Sequence, residues 1–366
     1  MSDDPAVGPT TLGRSFLAGL LRPSALGLGT TLIVTLALFA ALSQITAEQV
    51  QRLAGWMGGD RTSQSIDVYL VTSRALGLAM SRTREPSLVL LGGSTTRESF
   101  DERLASQLLG FGASGHRVTN LSGSGQTIIE SVALADMLPP QFRGVVVLGV
   151  NPIRLGKAND PESVLHPRYG VSSPFMAEQA RRLGVRPDPI TGRFAIDQRA
   201  FLLRMWGDLT ANPGTLMRAR EENPRRHWYY DKKPLPEAIL RQNLQLTSRD
   251  LAGYDRVARD NMEALAGLIA RLRSHNISIV LLEAPVSPRF VREGIGPAAY
   301  QHHLGTMRAF AAREGVPYLN NNADADLRTQ DFFDWGHLRN PAVTDRLTRR
   351  LITQIQPIFR AQEQSR

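Results

Sequence analysis

The chain has 366 residues, 42% hydrophobic and 21% charged, a balance that suits a globular domain with its own core and excludes wholesale disorder. It contains no cysteine, which excludes disulfide scaffolds, cysteine-ligated zinc or iron–sulfur sites and thiol nucleophiles together. The formal net charge of +9 comes from arginine scattered among acids, with lysine only at Lys157, Lys232 and Lys233; this pattern fits a solvated mixed-charge surface, and no nucleic-acid partner is expected.

No residue between Arg22 and Glu48 is charged, and ALGLGTTLIVTLALFAAL from Ala25 to Leu42 is nearly continuous apolar sequence. At about 1.5 Å per residue its roughly 18 residues reach about 27 Å, close to the hydrocarbon thickness of a bilayer. The expectation is a transmembrane helix over residues 25–45. An uncleaved anchor is preferred to a cleaved signal, because the leader is long, and to a core helix, because the run is so uniform. Arg14 and Arg22 precede the span and favour a cytoplasmic tail over residues 1–24, with the rest of this single-pass chain outside the cytoplasm. Residues 46–85, rich in Gln, Arg and Ala and broken at Gly58, Gly59 and Asp60, read as a juxtamembrane helical linker.

After Pro86, short apolar runs alternate with amphipathic stretches, the pattern of an α/β fold with a largely parallel sheet. Strands are expected at Ser87 to Leu91, Arg117 to Leu121, Gly144 to Leu148, Ser278 to Glu283 and Pro317 to Leu319. Helices are expected at about Ser99 to Leu109, Thr127 to Met137, Arg256 to Ser274, Ala298 to Glu314 and Ala342 to Ile355. The rhythm is lost between about Pro152 and Leu251, so residues 152–251 read as a long insertion in a domain spanning 86–360, with a short tail over 361–366.

The first strand runs into LVLLGGSTTRESF, where Gly92 and Gly93 turn Ser94 directly into a helix. A serine there sits at the carboxyl end of a parallel strand and at the start of a helix, where backbone amides favour developing negative charge. The second strand is followed by NLSGSGQT with Gly125, the third by LGVNPIR with Asn151, and DFFDWGHLRN places Asp334 and His337 three apart before the last helix. Each segment alone is commonplace: a capping serine or asparagine, a turn glycine, an N-cap aspartate. Together, in this order, they form one pattern.

That pattern resembles the SGNH hydrolase superfamily, also called GDSL-like esterases and lipases. The resemblance runs from Pro86 to near Pro357, interrupted by the insertion, and implies a three-layer α/β/α, flavodoxin-like fold. It implies Ser94 as nucleophile, His337 and Asp334 as its triad partners, and Ser94, Gly125 and Asn151 as donors to an oxyanion. Gly93 departs from the aspartate of Gly-Asp-Ser, and Pro152 from the aspartate that often follows the asparagine. Without that acid the chain looks like the membrane-anchored and periplasmic branches that act on polysaccharide O-acylation, such as alginate O-acetylation proteins and the anchored protein of teichoic-acid D-alanylation.

The residue types fit the chemistry. A serine hydroxyl is a poor nucleophile until a histidine accepts its proton, and a carboxylate fixes the imidazole tautomer. The oxyanion then needs donors aimed at it. The expected activity is an acyl esterase or O-acyltransferase working through an acyl-enzyme, with an acylated, in particular acetylated, envelope polysaccharide or acyl donor as substrate and a multi-span membrane O-acyltransferase as a candidate partner. A vestigial triad in a polysaccharide-binding or scaffold module, and a lipid esterase with an apolar groove, are the alternatives. Arg97, Trp228 and Tyr229 are candidate substrate contacts, the aromatics by stacking on sugar rings. No cofactor is implied, and the adjacent His302 and His303 face different sides of a helix and do not read as a metal site.

Overall fold

A computed structural model describes residues 25–43, 71, 74, 75, 78, 85–111, 117–139, 141–157, 230, 232–251, 253–322 and 325–364. The chain divides into two units, Met1–Thr46 and Ala47–Arg366. In the first, helix α1 covers Ala25–Ser43 without a charged residue. Its side chains described are those of Gly27–Leu38 and Ala40, with Leu28, Leu32, Ile33 and Leu36 exposed. Over the described residues, no helix is long and apolar enough to cross a membrane.

The second unit is built on strands β1 (Ser87–Leu91), β2 (Val118–Asn120), β3 (Gly144–Val150), β4 (Ser278–Glu283) and β5 (Tyr318–Asn320). They form one all-parallel sheet in the order β2-β1-β3-β4-β5. The helices are α2 (Ser94–Glu98), α3 (Glu102–Leu108), α4 (Ile128–Asp136), α5 (Pro152–Gly156), α6 (Glu237–Asp250), α7 (Tyr254–Ser274), α8 (Pro297–Glu314) and α9 (Pro341–Gln364).

The strands β1 and β3 are buried along their whole length, as parallel strands covered on both faces must be. Side chains alternate between the faces with period two. Val89, Leu91, Val146, Leu148, Ile279 and Leu281 share one core with residues of α4, α7 and α8. Leu88, Leu90, Val145, Val147, Val280 and Leu282 share the other with Phe100, Ala105, Leu351, Ile355 and Phe359 of the α3 and α9 side. The result is three layers, helix on sheet on helix. The chain goes from β1 outward to β2 and then returns across β1 to β3. The reversal is a topological switch point at the carboxyl ends of β1 and β3, the position at which open α/β sheets bind ligands.

Three elements differ from the sequence expectation. The helix expected from Ser99 to Leu109 starts only at Glu102, because Asp101 caps α3 by accepting the Leu104 amide at 2.7 Å, and α2 precedes it as a separate short helix. The last helix runs past Pro357 to Gln364, although a proline inside a helix removes a backbone donor. Burial of Ile355 and Phe359 on the sheet and a Gln362 to Ser278 hydrogen bond offset that loss. Inside the segment expected as an insertion, α5 and α6 are regular, and Leu240 and Leu244 of α6 pack on Phe290, Tyr300 and Leu304.

A polar cluster built around the buried Glu283 and His303 closes the end of β4. The Tyr254 hydroxyl meets His303 Nδ1 at 2.5 Å, His303 Nε2 lies 3.0 Å from Glu283 Oε2, and the Tyr318 hydroxyl donates to the same oxygen at 2.8 Å. Burial, and then the negative charge of Glu283, push the Tyr254 phenol up, so it stays protonated and donates to Nδ1. His303 therefore carries its proton on Nε2 and gives that hydrogen bond to Glu283. His302, on the other face of α8, pairs with Asp255 at 2.8 Å. Among the described residues no group of three or more His, Cys, Asp or Glu is placed to hold a metal ion.

Candidate active site

Ser94 follows β1 after only two residues, Gly92 and Gly93, and the first is glycine for a packing reason. Thr96, fully buried, wedges between the ends of β1 and β3, and a Cβ on Gly92 or on Gly149 would collide with its side chain. The tight turn leaves Ser94 half-buried at the start of α2.

The histidine arrives from the far end of the chain. Asp334, Trp335, Gly336 and His337 form a loop before α9, cross-tied by Phe333 N to His337 O at 2.8 Å and by a bridge between Phe332 and Leu338. Asp334 Oδ1 accepts the amides of Gly336 and His337, both at 2.9 Å, while Oδ2 lies 2.7 Å from His337 Nδ1. The three-residue offset thus lets one carboxylate hold both the loop backbone and the ring. A Cβ on Gly336 would press on Thr95 Cγ2 at 2.7 Å, so glycine lets the loop settle onto α2. His337 Nε2 then lies 2.7 Å from Ser94 Oγ, across 243 positions of sequence.

The electrostatics are consistent with that geometry. Burial alone pushes the Asp334 carboxyl up, but the His337 charge, its ring hydrogen bond and the two amides hold the group below the ordinary carboxylate range. Asp334 is thus an anion beside Nδ1, and in the neutral ring a proton on Nδ1 leaves Nε2 facing Ser94 Oγ as an acceptor. Trp335 lies beside the ring, with centroids 6.1 Å apart, and packs in turn on Phe290 at 5.5 Å.

Asn151 is 1% exposed and caps α5, accepting the Arg154 amide at 2.8 Å on Oδ1. Capping and donation are compatible here, because fixing Oδ1 points Nδ2 toward Thr95 Oγ1, 3.2 Å away and next to Ser94. Gly125 sits exposed in the turn after β2 with φ of +63°, a left-handed conformation that glycine adopts without strain. Its turn is tied to the nucleophile turn: Gly123 N donates to Gly92 O at 3.0 Å, and Gln126 Oε1 accepts Gly92 N at 3.0 Å.

Arg97 is engaged by Glu98 at 2.8 Å and by Ser124 Oγ at 3.3 Å, bracing α2 against the turn that holds Gly125. Trp228 and Tyr229 lie outside the described residues. Gln126, Thr95 and Gly336 are parts of the site that the sequence did not single out. Their signal is positional only, since each flanks a motif residue. A further tie comes from the segment before α6, where Leu235 N donates to Phe333 O at 2.9 Å and Arg339 Nε donates to Lys232 O.

Fold and strand-end loops together define an α/β protein whose five-stranded parallel sheet, flanked by helices, gathers polar side chains at one edge. Comparison with protein-family models finds no match, and comparison with curated proteins finds none.

Proposed function

We propose that this chain is a serine acyl esterase or O-acyltransferase of SGNH type, acting through an acyl-enzyme on O-acyl groups, in particular acetyl, of an envelope polysaccharide. The observation that carries the reading is the continuous line from Asp334 through His337 to Ser94, with both contacts at 2.7 Å. A binding module with a vestigial triad has no need of that alignment.

In the proposed reaction the Ser94 hydroxyl attacks the acyl carbonyl carbon and its proton passes to His337 Nε2. The carbonyl electron pair moves onto oxygen, and the oxyanion meets the Ser94 and Gly125 amides and the Asn151 side-chain amide. Collapse breaks the bond to the leaving alkoxide, which takes the proton from His337, and the acyl group stays on Ser94. Water or a sugar hydroxyl then gives its proton to His337, attacks the acyl-serine and releases the serine oxygen, which recovers the proton. Hydrolysis and transfer differ only in that acceptor.

Attachment to a membrane through residues 25–45, with the domain on the periplasmic side, belongs to the same proposal. It is supported by the absence of charge between Arg22 and Glu48 and by the exposed apolar side chains of α1. A neighbouring multi-span acyltransferase is the partner such an enzyme would draw acyl groups from.

The test is Ser94→Ala in the full chain. Hydrolysis of p-nitrophenyl acetate should fall by about 10⁴- to 10⁶-fold, and a fluorophosphonate should label Ser94 in the parent protein only. Wild-type turnover in the variant, or a parent protein that takes no label, defeats the assignment.

A further inference from the structure

We infer that Arg154 is a positioning residue for this site, its buried guanidinium fixing the loops that carry the oxyanion donors Gly125 and Asn151. The inference rests on the acyl-transfer reading above. Arg154 is 6% exposed and lies in α5, three residues after Asn151. Its Nε donates to Gln126 O at 3.0 Å, Nη2 to Thr127 O at 3.0 Å and to Ser131 Oγ at 2.6 Å, and Nη1 to Gly149 O. One planar fork thus reaches the residues directly after Gly125, the first turn of α4 and the carboxyl end of β3. Through its own backbone amide, Arg154 also holds Asn151 Oδ1, the bond that leaves Nδ2 free to point toward the nucleophile turn.

The same side chain accounts for the glycine that precedes the nucleophile. A Cβ on Gly93 would lie 3.3 Å from Arg154 Cδ and 3.8 Å from its Nε. A side chain at Gly93 would therefore press on the arginine stem, which couples the two positions. Lysine cannot replace the fork: it has no planar array of donors to serve carbonyls in three directions. Arg154 touches no reacting atom. Its effect falls on the donors that act when the oxyanion forms, so its loss should lower the rate of acylation and leave ground-state binding alone.

The experiment follows fluorophosphonate labelling of Ser94 with time, together with p-nitrophenyl acetate turnover, in the parent chain, Arg154→Met and Arg154→Lys. The labelling end point counts competent sites and the rate reads attack by Ser94. Both variants should label to the parent end point about 100-fold more slowly, with kcat reduced to match, KM within about twofold and the pH profile of the rate unshifted. Parent rates per labelled site, or a loss confined to the end point, overturn the role of Arg154. A parent chain that takes no label overturns the acyl-transfer reading instead. Should neither Arg154 variant fold, Gly93→Ala decides: it presses on the arginine stem and should slow labelling about tenfold, whereas an unchanged rate counts against the inference.

Discussion

Two histidine–carboxylate pairs stand at the carboxyl edge of one sheet, and each histidine meets a hydroxyl on its other side. In the Asp334–His337 pair the side chains keep 11% and 13% of their surface exposed, and the hydroxyl is that of Ser94. In the Glu283–His303 pair both are 0% exposed, and the hydroxyl is the Tyr254 phenol. The hydrogen-bond order is the same and the use is opposite. An imidazole that keeps some exposed surface, next to an alkyl hydroxyl, suits the proton transfer proposed above. One sealed among Tyr254, Tyr300 and Tyr318 holds helices α7 and α8 to the end of β4. The lesson is that a relay is recognised by what can reach its terminal hydroxyl, more than by its residues.

Replacing each histidine sharpens the contrast. His337→Ala should lower acyl-ester turnover by about 10⁴- to 10⁶-fold, equivalent to roughly 5–8 kcal/mol of transition-state stabilisation, while the denaturation midpoint falls much less than in His303→Ala. Initial rates and urea unfolding of the same preparation measure both. His303→Ala should do the reverse. Stripping Glu283 of its buried partner should lower stability by about 3–5 kcal/mol in urea unfolding. Labelling of Ser94 per folded molecule should be preserved, and a variant that keeps its stability but loses labelling would erase the distinction drawn here.

The smallest effect is acid sensitivity at the accessible pair. Because the folded state lowers the Asp334 pKa, ionised Asp334 contributes stability that is complete above the ordinary carboxylate range and lost as pH falls through the lowered value. The stability gap between the parent and Asp334→Asn should therefore narrow on acidification through that window. A gap that widens instead would show that the histidine does not hold this carboxylate.

The layer architecture was legible in the sequence because parallel strands announce themselves as apolar runs. Ser87–Leu91 and Ser278–Glu283 match the expected bounds, and the others differ by one or two residues at their ends. What the sequence could not show was competition between local and tertiary terms. Pro357 signals a helix end, and only the burial of Phe359 against the sheet carries α9 beyond it. The polar composition of Glu237–Asp250 hid an amphipathic helix whose partners, Phe290 and Tyr300, are distant in sequence. At the site, Ser94, Asp334 and His337 were readable as motif positions, and the structure brings their side chains together. Arg154 was not readable, because an arginine near a strand end has no local mark of burial; only the carbonyls converging on it reveal the role.

Ser94 and His337 lie far apart along the chain, and α9 docks onto the Ser94 helix through Thr344 Oγ1 to Glu98 O at 3.0 Å and onto Asp101 N through Thr348 Oγ1 at 2.9 Å. During synthesis on the ribosome, Ser94 emerges 243 residues ahead of His337 and stays without that partner until it follows. A nascent chain stalled before residue 334 would hold every strand of the sheet yet lack the Asp334–His337 pair that Ser94 faces in the folded protein.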